Sequence, residues 1–421
     1  MNTEAYLSTL RQEIKPALGC TEPIAAALAV ARAREALGEI PEVICLRVSC
    51  NILKNAMGVG IPGTGMVGLE IAAALSCIAG HSSYGLEVIS GASAEDCERA
   101  REMVQAGKIK VSLKDTKKKL YIEAELRKGD HAALCVIEDS HTHISLVMLD
   151  GKVDYRSEEN GQHPGIAQRH EMSVGEIYEF ITEVDLRELE FLREAIQMND
   201  AVAQEGLRQN YGMRVGRTLM NGRDMDDMTL AEYASAYAAA AADARMAGCK
   251  LPVMSTAGSG NQGISASLPV AAAARKLRSG DAQMLRASAL SQLITIHIKT
   301  YIGPLSPLCG CAIASAIGSA CGVTYLLGGG LKHIHFAIKN MISDISGLIC
   351  DGAKASCALK IASSVSSSIQ CAQLALAGVS AGGLDGIIAE DVEKTIRNLG
   401  NLGSAGMKQT DSVILDMMIN K

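Results

Sequence analysis

The chain has 421 residues, of which 48% are hydrophobic and 20% charged, and its formal net charge is −6. This length exceeds what one hydrophobic core usually organises, so we expect two domains in a folded globular protein. The longest run of like charge, Lys117 to Lys119, is typical of a solvated turn, so nucleic acid is not an expected partner.

The N-terminal part is predicted to mix helices and strands. Helical spacing of apolar residues predicts helices over residues 3 to 18 and Ile24 to Leu37, the second ending at Gly38, and a charged helix over Ala94 to Ala106. Alternating patterns predict strands at Val43 to Cys50, at Leu86 to Ser90, and around Val111, Ile122, Cys135 and Leu146. We therefore expect an α+β domain with a small sheet over residues 1–170, its first helices packing on a second domain.

From about Ser173 the strand patterns stop, and the remaining segments all have helical periodicity. The second domain, residues 171–421, is therefore predicted to be mostly α-helical. Its boundary is the polar stretch Asp154 to Glu171, which has the composition of a linker. The Ala-rich helices make a homodimer possible.

Leu305 to Gly330 is long enough and apolar enough to consider as a membrane span. It contains Pro307 and ends in a triple glycine, so a buried helix is the preferred interpretation and no membrane partner is expected. The N-terminus carries charges throughout and has no apolar segment typical of a secretory signal. A cytoplasmic location follows, in which the 13 cysteines are free thiols or metal ligands rather than disulfides.

The first chemical motif is LGCTEP, Leu18 to Pro23. Thr21 is a plausible N-cap and Pro23 fits the first turn of the following helix. Cys20 would then lie at the positive end of a helix dipole, which lowers a thiol pKa and favours a nucleophile or a base. The alternative is a small buried cysteine beside a turn.

Two loops rich in small residues each precede a predicted helix. Asn51 to Glu70, with a helix expected from about Met66, lacks a phosphate-loop signature but suits a substrate carboxylate, with Asn51, Lys54 and Asn55 adding polar groups. In Ser255 to Val270, Ser259 and Asn261 could hydrogen-bond an amino acid. Together the loops suggest a small zwitterionic substrate, and the alternative for both is a turn leading into a helix.

Four cysteines near the C-terminal end are candidate metal ligands: Cys309, Cys311, Cys350 and Cys357. Their spacing matches neither the usual zinc pairs nor a ferredoxin. If Ala312 to Leu327 and Leu331 to Met341 formed a helical hairpin, the chain would return close to Cys309. Three thiolates on a cubane iron–sulfur cluster would leave one iron open to substrate, whereas the alternative is buried core cysteines.

Histidines add weaker candidates. His141 and His143 are two residues apart on a predicted strand, which would place them on one face as a metal pair or leave one facing the substrate. His297 and Lys299, just before the cysteine segment, are further candidates to face a site.

Taken together, LGCTEP, NILKNAMGVGIPGT, STAGSGNQG, PLCGCAIA and ICDGAKASC resemble the L-cysteine desulfidase family, which is related to the α-domain of bacterial iron–sulfur L-serine dehydratases. The resemblance runs over almost the whole chain. It implies a carbon–sulfur lyase with a [4Fe-4S] cluster that converts L-cysteine to hydrogen sulfide, ammonia and pyruvate without pyridoxal phosphate. Alternatives are an iron–sulfur L-serine dehydratase, a non-catalytic iron–sulfur or redox-sensing protein, and a cluster-free relative.

The resemblance also implies residue roles. Cys20 would accept the substrate proton, Cys350 and Cys357 would be cluster ligands, and the third ligand would be Cys309 or Cys311. Cys321 would only pack. The expected substrate contacts are Thr21, Glu22, Asn51, Asn55, Gly63, Thr64, His141, Ser259 and Asn261.

Overall fold

A computed structural model describes residues 3–158, 172–303 and 305–420. The described residues form these strands: β1 (Ile14–Ala17), β2 (Val43–Val48), β3 (Ile109–Leu113), β4 (Tyr121–Lys128), β5 (His131–Glu138), β6 (Ile144–Leu149), β7 (Lys152–Arg156) and β8 (Val253–Thr256). Six of them make one sheet in the order β3-β2-β4-β5-β6-β7, in which β2 and β3 are parallel and the other neighbours antiparallel.

The helices of the N-terminal part are α1 (Thr3–Glu13), α2 (Thr21–Leu37), α3 (Cys50–Ala56), α4 (Leu69–Ala79) and α5 (Ala94–Gln105). Those after residue 172 are α6 (Val174–Glu183), α7 (Phe191–Arg208), α8 (Val215–Met220), α9 (Leu230–Met246), α10 (Gly260–Lys276), α11 (Asp281–Ile302), α12 (Ala314–Leu326), α13 (Leu331–Ile345), α14 (Cys357–Leu376), α15 (Val392–Asn401) and α16 (Thr410–Ile419). The α+β prediction, a small sheet followed by a helical part, is confirmed.

Helix α2 packs on the large sheet because its side chains are small. Its alanines are almost fully buried, and the inward residues of β2, namely Ile44, Leu46 and Val48, share the same hydrophobic cluster. Period-two alternation in β2 turns these three residues to one face. Gly38 ends α2 in the left-handed conformation, as its position in the sequence predicted.

The prediction of a first helix over residues 3 to 18 is wrong at its end. Helix α1 stops at Glu13, and Ile14–Ala17 pairs antiparallel with β8. Pro16 has no N–H to continue a helix, whereas it is tolerated in a short two-stranded sheet. The pairing ties the start of the chain to the helical part, where strands were not expected.

Other boundaries also differ from the sequence patterns. The predicted strand at Leu86 to Ser90 instead covers the end of the 3-10 segment Ser82–Glu87 and the turn after it. Gly85, just before it, has a φ of 55°. The helix expected from Met66 begins at Leu69. Strand β7 was missed because it is only five residues long and fully exposed, and its alternation rests on just Val153 and Tyr155.

The predicted helical hairpin is present. Helices α12 and α13 bring the chain back so that the Cys309 N–H donates to the Leu348 carbonyl at 2.9 Å. The Cys350 N–H donates to the Pro307 carbonyl at 2.6 Å. The two cysteine segments therefore lie side by side at the open end of the hairpin.

Residues 159–171, most of the predicted linker, lie outside the described part, so the division at residue 170 stays a prediction. Tyr6, Leu7 and Leu10 of α1 share a hydrophobic cluster with residues of α6, α11 and α13. In the described residues, no helix is both long and apolar enough to cross a membrane.

Candidate functional site

A cavity of about 470 Å³ lies between the GCTEP turn, the β5–β6 connection, the start of α10 and both cysteine segments. Five cysteines line it: Cys20, Cys309, Cys311, Cys350 and Cys357. Six of the polar residues expected at the substrate also line it: Thr21, Glu22, Asn55, His141, Ser259 and Asn261. Residues far apart in the sequence thus meet around one space large enough for a small molecule.

Cys20 is itself the N-cap residue of α2, and Thr21 is the first helical residue rather than the cap. The Cys20 Sγ donates to Oε2 of Glu22 at 3.3 Å. Burial and the negative charge of Glu22 raise the pKa of the Cys20 thiol well above its ordinary value, although Arg245 acts in the opposite direction. The expected low pKa is therefore wrong, because desolvation is the largest effect on this thiol and it disfavours the charged form.

The Glu22 carboxylate accepts hydrogen bonds from three neighbouring side chains. Its Oε2 accepts from the Thr21 hydroxyl at 3.1 Å as well as from Cys20, and its Oε1 accepts from the Asn55 amide at 3.1 Å. The Glu22 side chain is buried. A buried carboxylate beside a thiol is a natural acceptor for the thiol proton.

Arg245 is a site residue that the sequence patterns did not single out. It projects from the Ala-rich helix α9, is buried, and lines the cavity. Its guanidinium donates to the Gly19 carbonyl at 2.9 Å and to Oδ1 of Asn261 at 3.0 Å. Arg245 therefore joins the Cys20 turn to the start of α10, and a charged residue in an alanine run is the signal that could have revealed it.

The candidate ligand cysteines lie together in the cavity wall, where three are buried and Cys350 is half-buried. The sulfurs of Cys309 and Cys311 are 3.5 Å apart. Donation from the Cys311 thiol lowers the pKa of Cys309 to about 6, while burial raises the pKa of Cys350 to about 11. The Cys357 thiol points to the Gly352 carbonyl at 3.7 Å.

Cationic side chains surround these thiols. Lys354 and Lys360 both pair with Asp351, and Lys360 also donates to the Ile349 carbonyl at 2.7 Å. Positive charge next to several thiols favours their ionised form, which is the form that binds metals. The Lys54 ammonium donates to the Cys350 carbonyl at 2.9 Å from the other side.

The chemistry of the donor set is compatible with an iron–sulfur cluster. Among the described residues, no three His, Cys, Asp or Glu side chains converge closely enough to hold one metal ion. Four thiols around a shared space, three of them buried and that of Cys350 half-buried, are soft donors of the kind that iron–sulfur groups use. Gly310 between two of them leaves room that a side chain would fill, since a Cβ there would lie 2.9 Å from Oε1 of Gln262.

His141 and His143 do not share a strand face, contrary to the expectation. Both lie in the connection between β5 and β6, where His143 binds the Glu138 carbonyl at 3.1 Å and Ser157 at 3.2 Å. His141 lines the cavity, and within the described structure its Nε2 is buried without a hydrogen-bond partner. Burial lowers the pKa of His141, so its imidazole is neutral.

Three expected substrate contacts are not among the described residues that line the cavity: Asn51, Gly63 and Thr64. The Asn51 amide donates to Asp411 at 2.9 Å. The Thr64 hydroxyl donates to the Ile61 carbonyl at 2.9 Å, and Gly63 packs against Lys250. Asn51, Gly63 and Thr64 thus stabilise the fold around the site, whereas Asn55 of the same stretch lines the cavity.

The two candidate residues on α11, His297 and Lys299, lie in different surroundings. Lys299 lines the cavity, while Nε2 of His297 lies 2.8 Å from a carboxylate oxygen of Glu393. Gln262, in the first turn of α10, also lines the cavity, and its Oε1 is buried without a partner among the described residues. Lys299 and Gln262 add further polar side chains to the lining of the cavity.

A family model and several similar proteins match this chain over most of its length. The sequence model of the serine dehydratase alpha chain matches residues 83–416. A UPF0597 protein of Clostridium perfringens is 46% identical over 424 residues, covering 99% of this chain and 98% of its own length. A UPF0597 protein of Oleidesulfovibrio alaskensis is 42% identical over 419 residues, which cover 99% of this chain and 98% of its own length. A UPF0597 protein of Bacteroides thetaiotaomicron is 43% identical over 419 residues, which cover 99% of this chain and 97% of its own length. The chain therefore belongs to the serine dehydratase alpha chain family, which indicates a lyase-type enzyme.

Proposed function

We propose that this protein is an iron–sulfur lyase that converts L-cysteine to hydrogen sulfide, ammonia and pyruvate without pyridoxal phosphate. The observation that carries the proposal is that Cys20 and the four candidate ligand cysteines line one cavity. The cavity wall also contains both carboxylate and cationic side chains, as a zwitterionic substrate requires. The family match supports elimination from a small amino acid.

Three cysteines would hold a [4Fe-4S] cluster: Cys350, Cys357 and one of Cys309 and Cys311. Lys54, Lys354 and Lys360 would offset the negative charge that the thiolates bring into a buried place. When bound, such a cluster supplies an iron with an open coordination position, a Lewis acid for the substrate sulfur. A thiolate is a better partner than a hydroxyl for iron in a sulfur environment, which favours cysteine over serine.

The start of α10 would receive the substrate carboxylate. The first N–H groups of a helix have no partner within the helix and favour an anion, and Ser259 and Asn261 stand at this end. Arg245 lies beside them and adds a positive charge. The neutral imidazole of His141, which also lines the cavity, would accept a hydrogen bond from the substrate amino group.

Proton removal would use Cys20 and Glu22 together. Glu22 accepts the Cys20 thiol proton along the existing 3.3 Å contact, and the resulting thiolate removes the Cα proton of the substrate. The electrons of the C–H bond form the C=C bond as the C–S bond breaks, and sulfide leaves. Aminoacrylate then hydrolyses to pyruvate and ammonia.

L-Serine dehydration is the second candidate, because the matched family is named for serine dehydratase. The same residues would act, and the leaving group would be water instead of sulfide.

An assay of both substrates distinguishes the two candidates. The full-length protein is reconstituted anaerobically with iron and sulfide and freed of excess reagents. We expect sulfide release from L-cysteine with a kcat/KM at least about tenfold above that for pyruvate from L-serine, a difference of about 1.4 kcal/mol. A preference for serine would establish the dehydratase instead, and a cluster without turnover of either would indicate a redox or sensing role.

A further inference from the structure

The last helix of the described chain reaches the cysteine site through a buried ion pair. Lys54 on α3 is 1% exposed, and its ammonium lies 2.6 Å from Oδ1 of Asp411 in the first turn of α16. The same ammonium donates to the carbonyl of Cys350 at 2.9 Å. The Lys54–Asp411 ion pair therefore connects α16 to the backbone of a candidate ligand.

Asp411 is held in a defined position by more than Lys54. Its Oδ2 accepts from the Asn51 amide at 2.9 Å, and its backbone carbonyl is 3.7 Å from the Cys50 sulfur. A carboxylate at the start of a helix is also favoured by the helix dipole. Three residues of α3 thus converge on this one side chain and its backbone.

The segment after Cys350 is packed tightly between the same two helices. Gly352 has a φ of 93°, and a Cβ at this position would lie 2.2 Å from the Lys54 carbonyl. On its other side such a Cβ would be 3.6 Å from the Met418 methyl group of α16. The segment has little freedom to move while α3 and α16 keep their places.

We propose that Asp411 is a positioning residue for the ligand segment. It keeps the Lys54 ammonium against the Cys350 carbonyl and so fixes the direction in which the Cys350 sulfur points. Without Asp411, the Lys54 cation would be buried beside the site with no carboxylate partner, so it would turn away and release the carbonyl. The relevance of this positioning to a cluster rests on the proposed function.

The first test uses the cluster-free, full-length protein. Iodoacetamide alkylation is followed by mass spectrometry at each cysteine, in Asp411→Asn and in the control Asp416→Asn, which alters an exposed carboxylate on the same helix. We expect the alkylation rate of Cys350 to rise on the order of tenfold in Asp411→Asn and to stay at the wild-type value in Asp416→Asn. A rise of this size corresponds to the loss of one charge-assisted hydrogen bond. The rates at the core residues Cys77 and Cys321 should not change, whereas general destabilisation would raise them too.

The second test measures iron release to a chelator after anaerobic reconstitution, with faster release expected in Asp411→Asn than in Asp416→Asn. If Asp411→Asn does not fold, the double variant Lys54→Met with Asp411→Asn removes both charges together and should show the same two effects. Wild-type rates in both tests would overturn the inference. If the wild-type protein takes up no iron, the proposed function fails, and the alkylation rates alone decide the role of Asp411.

Discussion

At the scale of single residues, the chemistry depends on where the proton of Cys20 goes. Burial and Glu22 raise the pKa of this thiol, so a free thiolate is not the resting form. The sulfur nevertheless donates to the Glu22 carboxylate, which Thr21 and Asn55 hold in place. Cys20 can act as a base only if Glu22 takes its proton first.

Replacing Glu22 by Gln tests this dependence. The amide keeps the size of the side chain but cannot accept a proton, so we expect kcat for sulfide release to fall about 10²- to 10⁴-fold, with unchanged iron content. Glu35→Gln, at the far end of the same helix, should have wild-type kcat. A loss of less than about threefold in Glu22→Gln would contradict the role of Glu22.

The sequence predicted some site residues and missed others for a physical reason. Cys20 and the four candidate ligand cysteines stand in distinctive local motifs, so they could be selected without a structure. Arg245 and Gln262 lie in helices whose local patterns only indicate burial. Their place in the site comes from tertiary packing against the Cys20 turn and Gly310. The charge of Arg245 in an alanine run marks the residue, but not the contacts that it makes.

At the scale of elements, the helical part relies on a few buried polar contacts between close-packed helices. Glu393 at the start of α15 accepts from the Val174 N–H of α6 at 2.6 Å and pairs with His297 of α11 at 2.8 Å. Burial would raise the pKa of Glu393, but the contact with His297 lowers it below its ordinary value of 4.5. One carboxylate thus joins three helices behind the cavity.

The variant Glu393→Gln should lower the free energy of unfolding by about 1–3 kcal/mol at pH 7. Because the pKa of Glu393 is lowered in the folded state, its stabilisation is present above pH 4.5 and is lost as the pH falls through the folded-state pKa. The difference from wild type, measured by urea unfolding, should therefore shrink below pH 4.5. The control Glu188→Gln removes an exposed ion pair with Arg11 and should change the free energy of unfolding by less than about 0.5 kcal/mol. If the effect of Glu393→Gln grew as the pH fell, the stabilising role of the ionised Glu393 would be contradicted.

Elements were predictable where their pattern is local. Helix α2 has a clear stop at Gly38, and β2 alternates regularly. Strand β1 was missed because four residues with a proline carry no strand signal, and its partner β8 is distant in the sequence. The position of His141 was missed because the β5–β6 connection, not the strand, contains it.

At the scale of the whole molecule, the cavity needs both parts of the chain. The N-terminal part contributes Cys20, Glu22, Asn55 and His141, and the helical part contributes Arg245, the start of α10 and the candidate ligand cysteines. Tertiary packing thus brings the proposed base and the proposed cluster ligands to one cavity. The homodimer and the cytoplasmic location stay predictions from the sequence.

The most direct measurement compares wild type with Cys20→Ala after anaerobic reconstitution, recording the visible absorption spectrum, the iron content and sulfide release from L-cysteine. Cys321→Ala, which removes a thiol from the core of α12, is the control. We predict that Cys20→Ala retains the spectrum and iron of wild type but loses at least about 10²-fold in kcat, while Cys321→Ala keeps both. A wild-type protein that binds no iron–sulfur cluster, or a Cys20→Ala variant with full sulfide release, would contradict the account.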